Sequence, residues 1–209
     1  FTLMFREHAY GRDDFVKGLN NAKNSVYNFY KDNKDASIIH DNLKDMKDVL
    51  SYNLQYQKGA WVLHMLRNYI GEDAFRQGIR NYYKKYFNLN TTTDQFRHEM
   101  EKVSNVDLDK FFDQWLYKGG MLIIDSDWRY NKNNNEIEIS MNQVQNDGYL
   151  FDMPIEIMLT FENKSSQIES IHLDKKSKKF IISSEYKPKE IKIDPSVKLL
   201  ARWSINELK

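Results

Sequence analysis

The spacing of apolar residues changes once along this chain, and that change dictates what it can fold into. Before Gly119 they recur every three or four residues, which gathers side chains on one face of a helix; from Leu122 they alternate, as in a half-buried strand. In the first stretch Leu3, Met4 and Phe5 lead to Gly11, a helix stop. Phe15, Leu19, Ala22, Val26 and Phe29 mark one face of a second helix, with Asp13 placed to cap it. Lys31 to Lys44 is polar and irregular, a long surface connection. Ala60, Leu63, Leu66 and Ile70 then form the core stripe of a helix ending at Gly71, and the next helix carries Phe75, Ile79, Tyr82 and Tyr86. "TTTDQF" supplies a capping box, Thr92 with Gln95, ahead of Phe96, Met100 and Val103. "DLDKFFDQWLYKGG" predicts a last helix that turns Phe111, Phe112 and Trp115 inward and stops at Gly119.

Beyond it, "EIEISM", "PIEIMLTF", "IESIHL", "KFIIS" and "EIKID" alternate. They are separated by "NKNNN", "NDG", "ENKSSQ", "DKKSKK" and "YKPK", all turn chemistry. Short strands at this spacing read as an antiparallel sandwich. The expected fold class is therefore α+β in two modules, helical over 1–118 and a small β-sandwich over 119–209, with almost no linker between them.

Composition narrows the function classes. The chain has 209 residues, enough to bury a proper core, with 41% hydrophobic and 29% charged residues. A formal charge of +1, with both signs interspersed, argues against a nucleic-acid binder. No apolar run is long enough to span a bilayer, and the absence of cysteine excludes disulfides and thiolate metal sites without fixing a compartment. The sequence starts at Phe1 within a helical pattern, without Met or a signal-like stretch, as a piece of something longer would.

Residues that could carry chemistry are few. A zinc-hydrolase helix needs His at i and i+4 with Glu beside the first. The nearest match, "HEMEK" from His98, puts Lys102 where the second His belongs, and a cation there repels a metal. His8 and His64 read as helix-contact residues, while His40 in a loop and His172 in a strand have no readable partner. No metal site is expected. Asp13, Asp14, Glu72, Asp73, Asp107 and Asp109 sit near helix starts, where carboxylates serve the helix itself. The basic stretches "DKKSKK" and "YKPK" are simpler as turns, with too few aromatics for base stacking. "YQKGAWVLHML" stands out: Tyr56, Lys58 and Gly59 precede an apolar run that does not explain them. A glycine there costs up to about 1 kcal/mol against alanine, so some close approach is expected to require it.

The order of "YQKGAWVLHMLRNYIGEDAF", "YYKKY", "TTTDQFRHEME" and "VDLDKFFDQWLYKGG", followed by strands, resembles the M1 family of zinc aminopeptidases, the gluzincins. The resemblance is strongest from Tyr56 to Gly119; "EIKIDP" matches a late strand of that family's sandwich, and "FTLMFREHAYGRDDF" resembles the tail of its Asn-Glu-Gly helix. It departs at Met121, where the family tends to have proline. The resemblance implies a zinc cofactor in the intact enzyme, with its ligands upstream of residue 1, and none in this piece. It implies peptide substrates with a free N-terminus, no nucleic-acid partner, and no activity for this piece alone. Among the family's catalytic residues, one maps onto this chain: the tyrosine of Tyr-x-Lys-Gly, Tyr56. An alternative is an M1-like module that lost its metal and binds peptides or acts as a scaffold; the upstream sequence discriminates the two.

Overall fold

The structure, a computed structural model, describes residues 2–40, 45, 49–145 and 149–208. The turn expected at Asn146-Asp147-Gly148 and the end of the polar connection, residues 41–44, lie outside them. The chain divides into two compact units, Phe1–Gly119 and Gly120–Lys209. The first is helical and the second is built of strands, so the α+β class holds.

In the helical unit α1 (Thr2–Tyr10) and α2 (Arg12–Tyr30) are broken apart by Gly11, whose φ of 87° lies in the left-handed region. Gly11 also occupies the cap position of α2, which has no side-chain cap; Asp13 lies inside the first turn instead, with Asp14, where negative charge complements the helix dipole. The buried stripe of α2 is Phe15, Leu19, Ala22, Val26 and Tyr30. It ends on Tyr30 rather than Phe29 because the Tyr30 hydroxyl finds an acceptor below the helix, the Ala36 carbonyl at 3.0 Å. Helix α1 buries nothing: Phe5 and His8 are exposed, so His8 is no helix-contact residue.

A stretch of wide π-helix, Tyr52–Lys58, runs directly into α3 (Gly59–Ile70). Then come α4 (Glu72–Lys85), α5 (Thr93–Ser104) and α6 (Asp109–Phe112), the last continuing as a second wide segment, Asp113–Tyr117. The capping box forms at Thr92 and Gln95 as its spacing predicts. Phe111, Phe112 and Trp115 are buried, and the Trp61 indole donates to the Leu19 carbonyl at 2.9 Å, tying α3 to α2.

In the strand unit, β1 (Leu122–Asn131), β2 (Glu136–Gln143), β5 (Ser177–Ser183) and β7 (Ala201–Glu207) form one sheet in the order β5-β2-β1-β7. The other holds β3 (Met153–Thr160), β4 (Ser166–Leu173) and β6 (Glu190–Ile193), in the order β4-β3-β6. The sandwich is not wholly antiparallel. β7, which has no clean alternation in the sequence, pairs in parallel with β1, from Leu122↔Ala201 to Trp128↔Glu207. It reaches β1 by crossing from β6 in the opposite sheet, and a crossover permits a parallel pair where a hairpin cannot. Ile137, Ile139 and Met141 face the core as their period predicts. The buried Asp194 carboxylate accepts from the Lys198 and Leu199 backbone N–H groups at 2.7 and 3.0 Å, which organises the turn between β6 and β7.

Gly119 follows a helix that has already ended at Tyr117, so stopping it is not the role of this glycine. A Cβ there would collide with the Lys34 carbonyl oxygen and lie 2.7 Å from the Asp35 carbonyl carbon. These are backbone atoms and cannot swing away. Gly59 is the reverse case: it is helical, and a Cβ there would meet the Leu54 oxygen at an ordinary 3.7 Å. The close approach expected at Gly59 is found at Gly119. Gly119→Ala is therefore expected to destabilise the chain by about 1–3 kcal/mol, the usual cost of overpacking. Gly59→Ala should instead be neutral or stabilise by about 0.5–1 kcal/mol through helix propensity. Urea denaturation of the two variants checks both signs.

Candidate active site

Tyr56 lies in the wide helix, whose entry is capped by Ser51, the side chain accepting from the Leu54 N–H at 3.4 Å. Its exit is stitched by the Gly59 N–H, which donates to the Leu54 carbonyl, the i→i+5 pattern that defines this helix type. The Tyr56 side chain is 58% exposed and its ring stacks on that of Tyr52, with centroids 6.4 Å apart. Among the described residues its hydroxyl has no hydrogen-bond partner. Two positions on, Lys58 points the opposite way and is fully buried. Its Nζ donates to the Tyr30 hydroxyl at 2.8 Å and to the Lys118 carbonyl at 3.1 Å.

Tyr56 opens onto a cavity of about 930 Å3 within the helical unit. α3 borders that cavity along much of its surface. Trp61 and Met65 are buried away from it, Val62, His64 and Leu66 are buried but border it, and the half-buried Ala60 and Leu63 line it with Tyr52, Tyr56, Gly59 and Arg67. Of the core stripe expected at Ala60, Leu63, Leu66 and Ile70, Leu66 is fully buried and the other three are half-buried, while Trp61, Val62 and Met65 supply the rest of the buried surface. Both faces of this helix are apolar, so the period alone does not say which one the rest of the unit covers. Helical spacing from Tyr56 (positions 52, 56, 60, 63 and 67) is the signal that could have exposed the cavity face.

The cavity's cations are already engaged. Arg6 donates to Asp14 at 2.6 and 2.8 Å; these bonds hold the Asp14 carboxyl below its usual range and push the guanidinium up. Arg67 pairs with Glu72. Burial would raise the Glu72 carboxyl, but the bonds from Arg67 and Arg76 outweigh it and keep it below the usual value. Among the groups the cavity presents without a partner is therefore the neutral Tyr56 hydroxyl, beside the apolar side chains of Ala60 and Leu63.

The histidines do not converge. His64 packs edge-on against Phe15 and Trp61 at 5.3 and 5.5 Å, a core contact between α2 and α3. His98 is exposed with its Nδ1 on the Asp94 carbonyl, and His172 pairs with Asp152. Among the described residues, Glu101, Asp107 and Asp109 are the group whose ligand atoms come within 4.8 Å of one another. Arg97 inserts its guanidinium against Glu101 and Asp109, and Glu101 also accepts from the Leu108 N–H at 3.0 Å. An all-carboxylate group already neutralised by arginine, with no imidazole, does not fit a catalytic zinc.

The family model for the Peptidase family M1 domain matches residues 4–115, more than half of the chain and most of the residues that line the cavity. The chain belongs to peptidase family M1. Among M1 relatives, aminopeptidase N of Escherichia coli (strain K12) is 32% identical over 88 residues, covering 42% of this chain and 10% of that protein. Probable aminopeptidase 1 of Sulfurisphaera tokodaii is 28% identical over 131 residues, 61% of this chain and 16% of that protein. The chain thus spans a small part of the length of the relatives it matches. A crystal structure of Legionella pneumophila aminopeptidase A in complex with aspartic acid superposes with a TM-score of 0.73 at 16% identity. It covers 97% of this chain and 22% of that one, so the M1 fold extends through the strands as well as the helices.

The fully buried and half-buried leucines that α3 brings to the cavity can be told apart by stability. Leu66, with no exposed surface, should cost about 2–5 kcal/mol when cut to alanine. Leu63→Ala, on the cavity face, should cost about 1 kcal/mol or less, since little of its burial is lost. Parallel denaturation curves of the two variants give the comparison.

Proposed function

We propose that this chain is the C-terminal part of the catalytic domain of a zinc-dependent M1 aminopeptidase, residues 1–118, followed by its β-sandwich, 119–209. The intact protein, in this reading, removes N-terminal residues from peptides. The family is generally zinc-dependent. Because the carboxylates and histidines here do not fit that ion, the reading assigns the zinc ligands to sequence outside this chain. Two outcomes follow for the chain alone: it purifies without stoichiometric zinc, and it does not hydrolyse aminoacyl anilides even with zinc added. Elemental analysis and a chromogenic assay check them; one tightly held zinc per chain would overturn the assignment.

The observation that carries the reading is the placement of Tyr56: exposed at a large apolar cavity, on a helix whose opposite side is locked in the core. Peptide hydrolysis passes through a tetrahedral species whose carbonyl oxygen gains negative charge. A hydroxyl donor aimed at that oxygen stabilises it more than it stabilises the planar substrate. Tyrosine suits the task because its phenol is a neutral hydrogen-bond donor that reaches far from the backbone. The apolar wall of Ala60 and Leu63 lowers the local polarity, so the donated bond counts for more than it would in water. Tyr56→Phe in the intact peptidase is expected to lower kcat by about 10²-fold or more with little change in KM, the signature of a contact made in the transition state. Folding should change by about 1 kcal/mol or less, since the lost hydroxyl is exposed. Steady-state kinetics and a melting curve test this, and a variant with near-normal kcat would make Tyr56 structural.

A further inference from the structure

We propose that Lys58 is the positioning residue for Tyr56: its buried amine, not the helix's own hydrogen bonding, sets where the tyrosine hydroxyl stands. The inference rests on the reading of Tyr56 as the oxyanion donor. A π-helix is rarely stable by itself; it appears where something outside the helix holds it in that form. Here the segment Tyr52–Lys58 is seven residues long, and its side chains reach three separate parts of the unit. Lys58 Nζ grips the Tyr30 hydroxyl at the last buried position of α2, and the Lys118 carbonyl. That carbonyl belongs to the residue capping the second wide segment, Asp113–Tyr117, so one amine joins the ends of both π-helical stretches. Orphaned carbonyls at a helix C-terminus attract such donors. Asn53 accepts from Ser25 of α2 at 2.7 Å, and Gln55 donates to the Ile38 carbonyl at 3.2 Å, but both are partly exposed. Lys58 alone among these ties is fully buried.

The geometry converts this anchor into a direction. Residues two apart on a helix project to roughly opposite sides. Fixing Lys58 into the core therefore fixes Tyr56 outward, toward the cavity. The Tyr56 ring has Tyr52 beside it, itself exposed, and no bond to its hydroxyl among the described residues; the segment's other buried residue, Leu54, offers apolar packing without a directional bond. Lys58 touches no substrate in this scheme; it acts through Tyr56.

A double-mutant cycle in the intact peptidase tests the proposal, with Lys58→Met, Tyr56→Phe and the pair. Methionine keeps the unbranched stem and removes the donors. Lys58→Met should lower kcat by about tenfold to a hundredfold with KM nearly unchanged, as a misplaced catalytic group does. Added to Tyr56→Phe, it should lower kcat little further, because the hydroxyl it positions is already gone. Full additivity of the two losses, or a lowered melting temperature with unchanged kcat, would overturn the proposal. If Tyr56→Phe by itself leaves kcat intact, the oxyanion reading fails first, and the cycle shows that separately. Should Lys58→Met fail to fold, Tyr30→Phe removes one acceptor and keeps the ring. It should reproduce the kcat loss in smaller measure and the same non-additivity, and unchanged kcat in that variant would overturn the proposal. Amide exchange supplies a readout independent of activity: residues 52–58 should exchange faster in either variant while α4 and α5 stay as protected as before. Unchanged exchange there would equally overturn it.

Discussion

A lysine amine with no exposed surface must find acceptors inside the protein or destabilise it. Lys58 finds the Tyr30 hydroxyl and the Lys118 carbonyl, and much of the helical unit is arranged so that both are within reach. Tyr30 has to be the last buried residue of α2, which places it over the segment that follows. Its hydroxyl donates onward to Ala36, so the chain after α2 is held close to the same point. Ile39 in turn donates to the Leu116 carbonyl, and Gly119 lies so near Lys34 and Asp35 that no side chain fits. Three segments distant in sequence are thereby gathered around one buried polar contact. Such a contact contributes less to net stability than to uniqueness, because an alternative packing would leave the amine without its acceptors.

The consequence for function lies in what this anchoring leaves free. A helix that buries one face and opens another onto a cavity can carry a reactive group without giving up its support. α3 and the wide helix before it follow that plan. Trp61 and Met65 hold the core side, while Tyr56, Ala60 and Leu63 form the open side. The charged groups near the cavity, Arg6 and Arg67, are neutralised by Asp14 and Glu72. An aminopeptidase site built with this wall would present a neutral donor in apolar surroundings, which suits charge that develops during the reaction rather than charge already on the substrate.

Family membership and local geometry contribute different things. The M1 match gives the family, and the likeness to Legionella aminopeptidase A gives the fold. They do not say why Tyr56 faces the cavity. Burial, hydrogen bonding and the wide helical register explain that, and they would hold for any sequence that placed a lysine and a tyrosine in these positions. The acidic trio on α5 and the residues after it illustrates the opposite relation. Its spacing invites a metal reading, yet Arg97 makes it an ordinary ion-pair cluster.

The sequence by itself determined the class of most elements, though not strand β7 or the widening of the helix at Tyr52–Lys58 and Asp113–Tyr117. A period near 3.6 before Gly119 and of 2 after Leu122 leaves little choice between helix and strand, since each buries a continuous apolar face in one conformation only. It also determined local chemistry that depends on near neighbours, such as the Thr92–Gln95 capping box. The motif singled out Tyr56, whose catalytic role is the proposal made above. Tertiary structure decided what depends on distant partners: which apolar face of α3 is covered, that Lys58 reaches Tyr30 and Lys118, and that Gly119, not Gly59, marks the close approach. It also paired β7 in parallel with β1, a choice made by a crossover between sheets. The physical reason is common to all of these. Periodicity records that a side chain needs burial or a partner; only the packed chain determines which surface or acceptor supplies it.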